Sequence, residues 1–120
     1  MYTYDQATGI LTGGALETPA RGYSGHGDGC NNPMLQSVPD VGPIPQGRYT
    51  ISQPFDSPDH GPVAMHLTPD AGTDTFGRSG FLMHGDSLEY PGQASLGCII
   101  MPRAIRDQVA AGSDRELEVV

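Results

Sequence analysis

Glycine and proline interrupt this chain so often that little room remains for long helices. The 120 residues include 17 Gly and 11 Pro, spread along the whole sequence. Glycine weakens helices and strands and proline removes a backbone donor, so both residues concentrate in turns and loops. Short runs of β-forming residues nevertheless recur between them. The pattern predicts one loop-rich domain over residues 1–120, mainly β (a β-rich α+β fold), with few helices.

Several short segments have the composition of strands. Two β-forming triplets at 2–4 and 10–12 flank the turn-prone Ala7-Thr8-Gly9, which predicts an opening hairpin. Residues 13–47 are rich in Gly, Pro and Asn, so this stretch is predicted to be a long loop, and loops of that length are usually functional. Further strands are predicted at 48–52, 62–67, 80–84 and 117–120.

The one predicted helix begins at Pro102, because proline suits the first helical turn. Ile105 and Val109 then lie four residues apart on one face, and Gly112 is a plausible C-terminal stop. No internal repeat and no linker divides the chain.

The charge of the chain excludes one class of partner. The formal net charge is -8, with 6 Lys and Arg against 14 Asp and Glu. Because no basic stripe is available to neutralise phosphates, we expect no binding to nucleic acid. Simple solubility explains the acidity, and docking of a basic partner protein is the alternative.

No membrane span is expected, since no stretch approaches the roughly 20 apolar residues that a span requires. The segment Met1–Asp5 lacks the basic region and apolar core of a signal peptide. The sequence therefore predicts a chain that stays in the cytoplasm or is exported by a route that requires no cleavable signal peptide.

The residues that carry chemistry are His84, at the end of a predicted strand, and Cys98, at a turn of small residues. A thiol with a pKa of about 8.5 is only slightly ionised at neutral pH, and a neighbouring imidazole can remove its proton and later return it. Gly97 permits close approach of a substrate, and its amide and that of Cys98 are candidate oxyanion donors. Ser95 is a further candidate of the catalytic group, either orienting the loop or forming a hydrogen bond near the thiolate. Each residue also has an ordinary structural explanation: a core thiol, a structural histidine, a turn serine.

The combination of these residues resembles the catalytic domain of the L,D-transpeptidases. His84-Gly85, a loop, and then Ser95-Leu96-Gly97-Cys98-Ile99 resemble the signature of that family. The segment Gly42–Ile51 is similar to the family's Thr-Pro-x-Gly-x-Phe-x-Ile strand. The resemblance implies a β-sandwich or barrel with long loops and one short C-terminal helix.

A closer likeness is to the L,D-transpeptidase-like effectors of type VI secretion. Tyr4–Leu11 is similar to their opening Tyr-x-x-x-Thr-Gly-x-Leu, Gly22–Gly25 to their Gly-Tyr-Ser-Gly, and Gly77-Arg78 to a Gly-Arg before the His strand. These pieces occur in the right order over nearly the whole chain.

The resemblance implies an enzyme that acts on peptidoglycan stem peptides without a cofactor. Cys98 would attack the amide between the third and fourth residues of a tetrapeptide stem and form an acyl-enzyme. Transfer to water would be L,D-carboxypeptidase activity, transfer to a D-amino acid would be exchange, and transfer to a second stem would be cross-linking. An injected effector would act in the periplasm of a target bacterium and would have a cognate immunity protein as partner.

Two departures leave substrate anchoring unassigned. The larger family commonly carries His or Lys where this chain has Leu96, and a substrate-holding Arg where it has Ile100. We predict Arg78 as the substitute, with Arg103 as the alternative and a surface salt bridge as the structural explanation. Both departures keep open a non-catalytic peptidoglycan-binding module of the same fold. A phage-borne cell-wall enzyme is a further alternative.

The remaining candidates are weaker. Tyr23, Gly85 and Asp86 are predicted to contribute to substrate binding, with loop structure as the alternative. His26 and Cys30 lie four residues apart, but a zinc site needs three or four ligands, so no metal site is predicted. A zinc-dependent peptidase built on that pair is a rival interpretation. His60 and His66 have no partner pattern and are predicted to be structural.

Overall fold

Ten strands, one α-helix and two 3-10 turns make up the fold in a computed structural model that describes all residues, 1–120. The strands are β1 (Tyr2–Asp5), β2 (Ile10–Gly13), β3 (Ala20–Arg21), β4 (Tyr23–Ser24), β5 (Gly47–Ile51), β6 (Phe55–Ser57), β7 (Gly61–Pro69), β8 (Leu82–His84), β9 (Ile99–Ile100) and β10 (Glu116–Val119). The helix is α1 (Arg103–Ala111), and the 3-10 turns are Gly27–Gly29 and Pro33–Leu35. The prediction of a β-rich fold with one short helix is confirmed.

The strands form a nearly closed, barrel-like sheet in the order β3-β2-β1-β10-β5-β7-β8-β9-β4, with β6 paired to β7. Its two outermost strands, β3 and β4, are consecutive in sequence and separated only by Gly22. The chain therefore joins the two ends of the sheet at this residue. A Cβ at Gly22 would lie 1.7 Å from the carbonyl oxygen of Ile100, so the corner accepts no side chain.

The interior of the barrel is filled by side chains that alternate along the strands. Tyr2 and Tyr4 of β1 and Tyr49 of β5 are fully buried, and α1 contributes Val109. Two of the three phenols have partners: Tyr49 donates to the carbonyl of Pro45 over 2.8 Å, and Tyr2 accepts from the amide of Ala15 over 3.1 Å. These three rings are among the largest of the 16 side chains in the hydrophobic core.

The longer elements follow the sequence prediction, and the shortest ones do not. The opening hairpin is confirmed, with Tyr2 opposite Gly13 and Asp5 opposite Ile10. Pro102 is the residue before α1 rather than its first, and Gly112 ends the helix as predicted. The strands β6, β9, β3 and β4 were not predicted, because two or three residues carry no periodic pattern and form strands only through their partners. The nine-residue α1 falls short of the length and apolarity needed to cross a membrane.

Candidate active site

Parallel pairing of β8 with β9 brings His84 and Cys98 to one place. Met83 lies opposite Ile99 and His84 opposite Ile100, so one further step places Cys98 beside Leu82. Because side chains alternate along a strand, Cys98 then points to the same face of the sheet as His84. Both residues line one cavity of about 430 Å³. That volume is in the range of cavities that bind small ligands.

The hydrogen bonding of His84 defines its tautomer. Nδ1 lies 2.8 Å from the carbonyl oxygen of Gly85, and a carbonyl oxygen can only accept. Nδ1 therefore carries the proton, and Nε2 keeps a free lone pair. Nε2 is buried and has no hydrogen-bond partner in the chain. An orphaned buried acceptor is costly, which is typical of a site where a ligand or reacting group supplies the missing donor.

Burial also keeps this imidazole neutral. The side chain is 2% exposed, and desolvation lowers the pKa of His84 below its ordinary value. The Gly85 carbonyl and Asp86 oppose this shift, whereas electrostatic interactions with His60 and Arg106 add to it. The structure thus favours the neutral form of His84.

Cys98 is half-buried at the start of β9, with Sγ 3.9 Å from the carbonyl oxygen of Gly80. Burial raises the pKa of the Cys98 thiol, and a hydrogen bond from the Leu82 amide and the charge of Arg78 partly offset the rise. A neutral thiol and a neutral imidazole therefore line the same cavity. Such a pair needs proton transfer during attack rather than a preformed ion pair.

Ser95 is fully buried and bonds only to backbone. Its Oγ accepts from the amides of Gly25 over 2.9 Å and Gly97 over 3.1 Å, and donates to the carbonyl of Cys98 over 2.6 Å. These bonds hold the turn before the cysteine against the loop around Gly25. Ser95 therefore lies where it orients the turn, and it is not among the residues lining the cavity.

The bond to Ser95 also changes the assignment of the oxyanion donors. The Gly97 amide was predicted to be one of them, but it is already engaged by Ser95 Oγ. The Cys98 amide has no partner in the chain and remains available. Gly97 has φ +135°, and a Cβ there would lie 2.5 Å from Arg78 Nη2, so glycine is required for the shape of the turn.

Arg78 does not have the free guanidinium that substrate binding was predicted to use. Its side chain is 8% exposed, and both terminal nitrogens donate to backbone carbonyls. Nη1 bonds the carbonyls of Gln36 (2.5 Å) and Pro43 (2.8 Å), and Nη2 those of Gly42 (2.9 Å) and Leu96 (3.2 Å). Arg78 thus ties the 36–43 loop to the cysteine turn. It lines the cavity, but its donors are used by the chain itself.

A second cavity, of about 750 Å³, lies against the same histidine and contains free cationic groups. Arg103, the alternative predicted for the substrate, and Arg106 both line it. Arg103 is exposed and pairs through Nε with Asp107, leaving its terminal nitrogens without partners. No acidic residue occupies the first turn of α1, whose N-terminus adds positive potential.

The predicted residues Tyr23, Gly85 and Asp86 meet on the loop that follows His84. The Tyr23 hydroxyl donates to Asp86 Oδ1 over 2.6 Å and accepts from the Ala94 amide over 3.0 Å. Both carboxylate oxygens of Asp86 also accept from the Gly92 amide, over 3.1 Å. These bonds close the 86–94 loop. Burial raises the pKa of Tyr23, and the hydrogen bond to Asp86 adds to the rise, whereas the bond from the Ala94 amide opposes it.

Two residues of the site were not predicted. His60 lines both cavities, and Arg106 is buried beneath Gly85, where an added Cβ would lie 2.6 Å from Nη2. No sequence signal distinguishes His60, because its partner is 24 positions away along the chain. Arg106 lies on the same helix face as Val109, which offered a weak signal of burial.

The structure also bears on the alternative zinc site and on the two positions where the sequence departs from the larger family. No three His, Cys, Asp or Glu side chains cluster closely enough to hold a metal ion, and Cys30 and Cys98 are both free thiols. Ile100 is buried in β9 opposite Tyr23, so this position carries no cation. Leu96 is 56% exposed at the rim of the cavity.

Comparison with known proteins identifies the family of the chain. The family model of the Tlde1 domain matches residues 18–119, which include both His84 and Cys98. A search of curated proteins found no match. The match covers most of the 120 residues. The chain therefore belongs to the Tlde1 domain family, the type VI secretion L,D-transpeptidase effectors.

Proposed function

We propose that the chain cleaves the amide between the third and fourth residues of peptidoglycan tetrapeptide stems through a thioester on Cys98. The observation that carries this proposal is the state of His84. Its Nδ1 is bonded to the Gly85 carbonyl, and its unprotonated Nε2 is buried without a partner beside the cavity that holds Cys98. This arrangement is what a general base for a thiol requires.

Attack begins with proton transfer. As Cys98 Sγ bonds to the carbonyl carbon, its proton moves to His84 Nε2, and the carbonyl oxygen becomes an oxyanion. The imidazolium is stabilised by the Gly85 carbonyl at Nδ1. The free amide of Cys98 is the available backbone donor for the oxyanion. One such donor contributes about 3–4 kcal/mol to transition-state stabilisation in other enzymes.

Collapse of the intermediate breaks the C–N bond. The leaving amine of D-Ala takes the proton from His84 Nε2, and the acyl group remains on Cys98 as a thioester. Water then attacks the thioester while Nε2 takes its proton. The C–S bond breaks, the tripeptide stem leaves as its acid, and the Cys98 sulfur takes the proton back from Nε2. A D-amino acid amine in place of water gives exchange of the terminal residue.

We assign the substrate carboxylate to the second cavity. Stem peptides bear carboxylates, and Arg103 offers unpaired guanidinium nitrogens there, at the positive end of α1. Arg78 is the weaker candidate because its terminal nitrogens are used by four carbonyls. This cavity and the Cys98 cavity share His84, so a stem bound across both presents its amide to the base.

As an effector, such an enzyme acts in the periplasm of a target bacterium. Removal or exchange of the fourth residue consumes tetrapeptide stems, which are the donors of 3–3 cross-links, and alters the composition of the wall. The producing cell needs protection, so the proposal includes a cognate immunity protein. A partner with a basic surface fits the net charge of -8.

The test is incubation of purified tetrapeptide muropeptides with the protein under reducing conditions, followed by mass spectrometry. We expect loss of the terminal D-Ala, or its replacement by an added D-amino acid, with the native chain and not with Cys98→Ala. Cys30→Ala is the matched control and should retain activity, because Cys30 does not line the Cys98 cavity. Arg103→Gln should raise KM several-fold with a smaller change in kcat.

Two other outcomes would overturn the proposal. Unchanged muropeptides with the native chain, together with binding to them, would favour the non-catalytic module. Activity that survives Cys98→Ala and disappears with a chelator would favour the metal-dependent peptidase. If Arg103→Gln were as active as the native chain at all substrate concentrations, Arg103 would have no role in substrate binding.

A further inference from the structure

His60 lies directly on the imidazole of His84, although no sequence pattern connects the two residues. The ring centroids are 4.2 Å apart and the planes differ by 26°. His60 belongs to the turn between β6 and β7 and is exposed on its other side. It lines both cavities, at the place where they meet. The prediction that His60 is only structural does not account for this position.

The hairpin that carries His60 is held in an unfavourable backbone conformation. Val63 has φ +56°, which is rare for a β-branched residue and persists only where the surroundings impose it. Arg106 supplies that constraint from α1. Its Nη1 donates to the carbonyls of Pro62 over 2.6 Å and Val63 over 3.1 Å, and its Nε to that of Met101 over 3.0 Å.

We propose that His60 is a positioning residue for the reaction, and this inference rests on the proposed function of His84 as the base. The His60 ring covers one face of the His84 imidazole and separates it from solvent. Together with the Gly85 carbonyl at Nδ1, this contact fixes the plane of the imidazole. Nε2 is then directed to the Cys98 thiol, and protonation of Nε2 by solvent is disfavoured.

Several charged groups surround His84, and their signs predict the effect of removing His60. Asp86 on the following loop favours the protonated imidazole, as does the Gly85 carbonyl. Arg106 from α1 and His60 from the hairpin disfavour it. Cys98 lines the same cavity as His84. Loss of the His60 ring exposes the imidazole and removes the interaction with His60 that disfavours its protonated form. Both changes raise the pKa of His84.

The experiment compares His60→Ala, His60→Phe and the control His66→Ala. Phe keeps an aromatic face without a charge. His66 lies on β7 of the same hairpin but stacks on Phe55, at a centroid distance of 4.5 Å, and lines neither cavity. Two quantities are measured: the pKa of His84 by NMR of labelled histidine, and the pH dependence of kcat/KM for tetrapeptide muropeptides.

We expect His60→Ala to raise the pKa of His84 and to move the acid limb of kcat/KM to higher pH. A shift of one unit lowers the rate on that limb about tenfold, because only neutral imidazole accepts the thiol proton. His60→Phe should shift both quantities less, and His66→Ala should leave them unchanged. The proposal would be overturned if the pKa of His84 and the acid limb of kcat/KM in His60→Ala were identical to those of the native chain.

The NMR titration separates this proposal from the proposed function. If no muropeptide is cleaved by the native chain, the proposed function fails whatever His60 does. If the muropeptide is cleaved but the acid limb does not follow the pKa of His84 across the three variants, the positioning role of His60 is overturned while the cysteine mechanism stands.

Discussion

Two buried arginines support the two halves of the site, and they do so differently. Arg78 bonds four carbonyls, from the 36–43 loop and the cysteine turn, with both of its terminal nitrogens. Arg106 bonds three carbonyls through Nε and Nη1 and leaves Nη2 without a partner beside the second cavity. On the cysteine side both terminal nitrogens of the arginine are thus used by the chain, whereas on the histidine side one of them remains free beside the second cavity.

The two charges also act on different titrating groups. Arg78 lowers the pKa of the Cys98 thiol, which burial raises, and Arg106 lowers the pKa of His84. Both effects favour the deprotonated forms of the pair, the thiolate and the neutral imidazole. On both halves of the site an arginine favours the deprotonated form of the titrating group. Only on the cysteine half does the arginine also hold a long loop in place, through its bonds to residues 36–43.

The largest effect is expected for Arg78→Met. Four carbonyls lose their donor, and although water reaches some of them, we expect the free energy of unfolding to fall by about 3–5 kcal/mol. Arg78→Lys keeps the charge but cannot span four acceptors, so it should destabilise the fold while changing the Cys98 pKa less. Urea unfolding and the pH dependence of Cys98 alkylation measure these quantities.

The control for this variant is Arg48→Met, an exposed arginine on β5 whose nearest ion pair, with Glu118, is 3.7 Å long. Its removal should change the free energy of unfolding by less than about 0.5 kcal/mol. Equal effects of Arg78→Met and Arg48→Met would contradict the role of Arg78 as a loop clamp.

A smaller loss is expected for Arg106→Met, about 2–3 kcal/mol, because fewer carbonyls are affected and the site is partly open to a cavity. The pKa of His84 should rise, since a positive neighbour is lost and the hairpin that carries His60 is freed. Arg103→Met, on the same helix but exposed, should leave the free energy of unfolding nearly unchanged. If Arg106→Met raised the pKa of Cys98 and not that of His84, the assignment of Arg106 to the histidine half would be wrong.

The smallest effect is expected for Ser95→Ala, about 2 kcal/mol, since one neutral hydroxyl serves two amides and one carbonyl. If Ser95 acts only by holding the turn, Cys98 alkylation should become faster as the turn loosens, and the His84 titration should not move. The exposed Ser37→Ala is the matched control. A shift in the His84 pKa would instead show that Ser95 takes part in the proton-transfer pair.

Much of the fold was predictable because the local sequence of each longer element indicates its secondary structure. The β-forming triplets around Ala7-Thr8-Gly9 and the Pro102–Gly112 helix pattern needed no distant partner to be interpreted. The strand Ile99–Ile100 could not be predicted in the same way. It is two residues long and exists because β8 and β4 pair with it on either side.

The sequence by itself determined which residues are chemically able to react: a thiol after a small-residue turn and an imidazole at a strand end. Tertiary structure decided everything that depends on contacts between distant segments. It engaged the Gly97 amide with Ser95, used the donors of Arg78 on backbone carbonyls, and stacked His60 on His84. The physical reason is that a side chain's type records what it can donate or accept, whereas its partners are set by the path of the chain around it.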